Sequence, residues 1–272
     1  MIHFLITSTI CLLVFLVFYH LVLEKEKTHR FNRFYLLFTI VISFLIPFIT
    51  YEIIEIIPVQ ASETVPLHEF ENIPTATIVE KVNYISVLIW SLYGIITTLF
   101  IFRFGKNIWK LNSKSKSNPK VKHQNATLVL VEEKTLPHSF LNFIFINFED
   151  YNNRAIKHEL YTHELVHVKQ KHSLDILFIE LLKTMFWFNP MFYFYKKAIQ
   201  LNHEFLADEK VVNSYNDVPF YQNLLLQKSS NDQTIYLASN LNYLVTKKRL
   251  LMMTKKTSKS LAIIKKIAIL PI

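Results

Sequence analysis

His163 and His167 stand four residues apart and enclose Glu164 in the run His163-Glu164-Leu165-Val166-His167. Residues four apart on an α-helix share one face, so both imidazoles can meet at a single metal ion. Glu164, next to the first of them, can take a proton from a water activated at such a site. No glycine or proline falls between Tyr151 and Asn189, and Leu160, Leu165, Val168 and Leu174 recur at helical intervals. The spacing therefore predicts a helix through the histidines, continued by the apolar stretch Leu174 to Phe188 as a buried or interfacial extension. A zinc hydrolase also needs a third protein ligand and an open position. Asn189-Pro190 supplies a helix cap and a first-turn proline, and the helix it starts carries His203, Glu204 and Asp208. Glu204 is read as the third ligand. Asp208, four residues on, is read as the carboxylate that orients a ligand histidine through its other ring nitrogen. A turn at Trp187 to Pro190 makes the two helices antiparallel and returns Glu204 to His163 and His167.

The elements that must hold this pair are apolar. Three runs, at about 2–23, 34–54 and 82–102, are long enough to cross a bilayer. The first lacks a basic start and a small-residue cleavage site, which predicts a retained anchor. Between the first two lie Lys25, Lys27, Arg30 and Arg33. After the third come Arg103, Lys106, Lys110, Lys114, Lys116, Lys120 and Lys122 without an acid among them. The loop at 55–80 has the opposite character, with Glu63, Glu69, Glu71 and Glu80 and no lysine or arginine. Positive charge marks the cytoplasmic side, so the N-terminus and the acidic loop are expected outside and the chain beyond Arg103 inside. The net charge of +9 is then mostly topological. No recognition motif or aromatic interleaving points to nucleic acid; the lysines from Asn112 to Asn125 fit a solvated linker or anionic headgroups.

Two glycines and one cysteine, Cys11, exclude glycine-rich phosphate loops, disulfides and cysteine-ligated zinc. Thr127 to Val131 and Phe140 to Asn147 read as short strands. Residues 214–232 loosen into turns and a short helix, and Tyr236 to Met253 ends in a basic tip at Lys247, Lys248 and Arg249. The domain plan is a transmembrane region over 1–104, a cytoplasmic zinc-peptidase domain over 105–257, and the start of a truncated fourth transmembrane helix at 258–272. The fold class is mainly α with a small β element.

The His163–His167 motif, the Trp187-Phe188-Asn189-Pro190 turn and the segment His203 to Glu209 together resemble the BlaR/MecR-type antirepressor family of integral-membrane zinc metallopeptidases. More loosely they resemble membrane-bound gluzincins, which pair an HExxH helix with a later ExxxD helix. The resemblance runs from the first apolar segment to about Met253. It implies Zn(II)-dependent cleavage of a cytoplasmic protein, often a DNA-binding repressor, in a multi-pass protein of a bacterial-type inner membrane. It also implies that a strand ahead of the zinc helix pairs with substrate, a role that falls to the region 140–147 no more readily than plain structural service. Two other classes stay open: a housekeeping protease that clears membrane proteins, and a non-catalytic transmembrane signalling subunit. His158 and His172 read as surface or helix-end histidines. His203, adjacent to Glu204, points elsewhere on its helix. Trp187 and Phe188 read as packing or membrane-interface anchors, and Thr39, Ser43, Thr97 and Thr98 as bonding to their own helix backbones.

Overall fold

The computed structural model describes residues 2–49, 84–123, 126–133, 135–153, 156–231, 236–256 and 265. The acidic loop at 55–80, the far end of the second apolar run and, Lys265 aside, the segment 258–272 lie outside the described residues. The chain is mostly helical, with one small sheet. Among the described residues three helices are long and apolar enough to cross a membrane: His3–Leu23, His29–Phe48 and Tyr84–Ser117.

The first helix, α1 (Ile2–Phe18), ends in a π turn at Tyr19–Leu23, closed by the Glu24 amide on the Tyr19 carbonyl at 2.8 Å. Helix α2 (His29–Leu45) begins earlier than its apolar run because Arg30 and Arg33 belong to it. Helix α3 (Tyr84–Ser117) likewise runs on through the lysines. The segment read as a linker is therefore helix as far as Ser117 and strand at β1 (Lys120–His123). Arginine and lysine are good helix formers, so hydropathy marks the greasy part of a helix and not its hydrogen-bonded ends.

Strands β2 (Ala126–Val131), β3 (His138–Phe140) and β4 (Phe143–Asn147) complete a sheet of order β1-β2-β4-β3. The β2–β4 pair is parallel and the outer two pairs are antiparallel. Side chains alternate with the strand period. Leu128, Ile144 and Ile146 meet Leu165 and Val168 on one face, while Val129, Val131 and Phe145 cluster on the other. After the short α4 (Phe148–Asn152), the metal-motif helix α5 (His158–Lys169) lies on the first of these faces.

The expected continuous helix from 158 to 188 is broken. Lys171 takes a left-handed conformation, φ 54°, ψ 40°, and α6 (His172–Met185) starts afresh. No glycine marks the break, so nothing in the residue types announced it. The Arg33 guanidinium donates to the Gln170 carbonyl at 2.9 Å and grips Asp175 at 2.7 and 3.1 Å, which satisfies the end of α5 and fixes α6 beside α2. At the next turn the Asn189 side chain accepts from the Met191 amide at 3.0 Å and caps α7 (Met191–Tyr215).

Helix α7 is the shared element. Its first half packs Phe192, Tyr195, Ala198 and Ile199 against Leu12, Leu16, Tyr35, Leu36 and Ile40 of the first two helices. Its second half carries Glu204 and Asp208. The Tyr195 hydroxyl, fully buried, lies 3.2 Å from Thr39 Oγ1, so Thr39 bonds across helices as well as to its own backbone at Leu36. Helix α8 (Val218–Asn231) is longer than the short helix expected there, and α9 (Tyr236–Thr254) returns along α7. Phe192→Ala is expected to cost about 3–5 kcal/mol, read as a large fall in thermal midpoint of the detergent-solubilised chain. Trp90→Ala, on the exposed α3, should leave that midpoint nearly in place.

Candidate metal centre

Helix α5 presents His163 and His167 from one face, and α7 crosses it to bring Glu204 opposite. His163 Nε2 lies 3.2 Å from His167 Nε2 and 3.3 Å from Glu204 Oε2, and His167 Nε2 lies 3.6 Å from Glu204 Oε1. Three ligands at 2.0–2.1 Å around a tetrahedral zinc stand about 3.4 Å apart. The donor triangle therefore has the size that such an ion needs, and the donor set, two imidazoles and a carboxylate, is of the right chemistry. Among the described residues these three are the group whose ligand atoms converge in this way.

His163 and Glu204 are held from behind. Asp208 Oδ1 lies 3.3 Å from His163 Nδ1, on the side away from the triangle. Tyr221 of α8 joins the pair: its hydroxyl is 2.8 Å from His163 Nδ1 and donates to Asp208 Oδ1 at 2.8 Å. Arg249 of α9 donates to Asp208 Oδ1 at 2.7 Å and Oδ2 at 2.8 Å, and its third nitrogen sits 2.9 Å from Glu204 Oε2. A guanidinium presents donors in a fixed fork, so one side chain can span two carboxylates. Burial works against the charge on His163, yet the Asp208 and Glu204 carboxylates push its pKa up to about 9. Burial and the neighbouring His163 push His167 down to about 3. Burial would raise both carboxylates, but Arg249 and His163 hold Glu204 well below the usual range and Asp208 below it.

Glu164 is buried and lines a cleft of about 370 Å³ that opens beside the triangle, with Ser139, Phe140, Ile176 and Leu177 among its other walls. The strand bordering that cleft is β3 and not the longer region at 140–147. Phe143, Ile144 and Phe145 are paired on both sides, to β2 and β3, while Ile146 and Asn147 pair with β2. His172 opens α6, a helix end as its sequence reading allowed, but it is not at the surface; His203 turns to Asp175 and not to the triangle, as expected. Both are buried, both line the cleft, and their rings stack with centroids 3.9 Å apart and planes at 2°. His158 stays at the exposed start of α5, where its carbonyl accepts from the Tyr215 hydroxyl at 3.3 Å. Trp187 and Phe188 pack against Phe100 and Tyr93 of α3, away from the cleft.

Tyr221 and Arg249 were missed from the sequence. Tyr221 sat in a stretch without clear periodicity, and Arg249 was one of three basic residues on a helix tip. Neither has a local signal, because each reaches its partner across the fold. Arg249→Met leaves the buried Asp208 and the half-buried Glu204 short of a cation and is expected to destabilise the metal-stripped chain by about 3–5 kcal/mol. Thermal unfolding after chelation measures this; an unchanged midpoint would show the pair to be idle.

Among known proteins, a family model described as BlaR1 peptidase M56 matches residues 1–253. No curated protein matches the chain.

Proposed function

The chain belongs to the BlaR1 peptidase M56 family, and from that premise we propose that it is a membrane-embedded zinc metalloendopeptidase that cleaves a cytoplasmic protein, a DNA-binding repressor being the favoured substrate class, in signal-dependent regulation. The observation that carries this is the donor triangle of His163, His167 and Glu204, with Glu164 lining the same cleft. His163, His167 and Glu204 would hold the zinc ion, which when bound would supply Lewis acidity toward the scissile carbonyl and the attacking water. Glu164 takes the proton of the attacking water and passes it to the leaving nitrogen. No side chain needs to bond to the substrate. Asp208 and Tyr221 keep His163 turned toward the triangle, and Arg249 does the same for Glu204 while balancing its charge. The edge of β3, His138–Phe140, receives the substrate backbone: β4 is its one partner among the described strands, and its residues line the cleft.

The orientation proposed is N-terminus outside and peptidase portion in the cytoplasm. It is supported by the unbroken basic character of α3 after Phe102 and of the segment that follows. The 1–104 and 105–257 division is a matter of side of the membrane more than of packing, since α7 buries its first half against α1 and α2.

Two measurements test the chemistry. Glu164→Gln should lose roughly 10²–10⁴-fold in peptide-bond hydrolysis while retaining zinc, as read by elemental analysis of the detergent-purified chain. Glu204→Ala should lose both zinc and hydrolysis; full zinc retention there removes Glu204 from the site. Comparing the proteins cleaved in cells carrying the active chain or the Glu164→Gln chain tests the substrate class. A shortened repressor is expected, and a spread of membrane-protein fragments instead would favour a housekeeping protease.

A further inference from the structure

The two ligand histidines are backed differently. His163 has a carboxylate and a phenol behind it. Among the described residues His167 has neither: its Nδ1 faces Nδ1 of His172 at 2.9 Å, with the ring planes at 79°. Resting on the zinc reading above, we propose that His172 is the positioning residue for His167, fixing its tautomer and ring orientation as a neutral hydrogen-bond acceptor.

The argument is one of proton counting. A hydrogen bond between two ring nitrogens needs one proton and one lone pair. His167 turns Nε2 to the donor triangle, where only a lone pair can bind a metal. A neutral imidazole has a single N–H, so that proton lies on Nδ1 and points at His172. His172 Nδ1 must then accept, which leaves the proton of His172 on Nε2. There Gln170 Oε1 stands ready to accept at 3.1 Å. The chain of donors closes with both imidazoles neutral and no proton in dispute.

His172 is itself held. It stacks face to face on His203, which donates from Nε2 to Asp175 Oδ2 at 2.8 Å, and Asp175 is clamped by Arg33. His172 opens α6 immediately after the left-handed Lys171, and that break is what swings its ring back onto His167. A continuous helix would have carried it away. Metal-bound histidines commonly donate their other N–H to a carboxylate, carbonyl or water; here an imidazole takes that part, and His203 acts through it without reaching the triangle.

The test compares His172→Phe, which removes the acceptor, with His172→Asn, whose Oδ1 falls close to where Nδ1 was. Zinc affinity is measured on the full-length chain in detergent by competition with a chromophoric chelator, beside the visible spectrum of the cobalt-substituted protein. His172→Phe is expected to bind zinc about 10–100-fold more weakly with an altered cobalt band, and His172→Asn to recover both. Equal affinity in His172→Phe and wild type overturns the proposal. So does equal weakening in both variants accompanied by equal loss of thermal stability, since that marks a role in folding alone. A wild-type chain that takes up no zinc removes this reading together with the one it rests on, whereas failure confined to the variants removes this one only.

Discussion

Ionised groups that leave water must be balanced where they stand, and the centre of this protein is arranged by that requirement. Glu204 and Asp208 come from one helix, four residues apart; Asp208 is buried and Glu204 is half-buried at the wall of the cleft. Two carboxylates so placed repel each other unless cations reach both. Arg249 supplies one, bridging them from α9, and the histidine pair offers the means to hold a second. The carboxylates thus specify which surfaces of α5, α8 and α9 face α7. Hydrophobic contact alone, being non-directional, would not choose among registers of these helices.

Helix α7 joins this polar centre to the greasy hairpin of α1 and α2. One helix changes its surroundings along its length, from Phe192 and Tyr195 among membrane-type side chains to His203 and Asp208 among ion pairs. The Arg33–Asp175 pair repeats the connection from the other side. The metal-motif region and the first two helices are consequently one packed body, and any account of the chemistry has to include α2.

The short-range parts of the site were legible. His163, Glu164 and His167 announce themselves by helical spacing, and Glu204 and Asp208 by the same rule after the Asn189-Pro190 start. What was illegible is long-range or strained. Arg249 is distant in sequence from Asp208, and Tyr221 meets His163 from a helix with little amphipathic pattern. The burial of His172 and His203 depended on a helix break that has no glycine or proline to mark it. Among the apolar segments, composition located the spans but cut α2 and α3 short, because the residues that end a greasy run also continue a helix well. The strand region was read as one piece when it is a hairpin, β3 and β4 turning at Leu141 with φ 52°.

Lys171 touches neither the triangle nor the cleft, yet its backbone holds a conformation that costs a side-chain-bearing residue about 1–2 kcal/mol. Such a position is choosy about shape and indifferent to charge. Glycine would sit there at ease and asparagine nearly so, whereas valine, isoleucine or threonine, branched at Cβ, would collide with the chain and straighten the corner. The corner therefore acts as a steric filter on which sequences can carry this histidine cluster, set by a torsion angle and not by any contact its side chain makes.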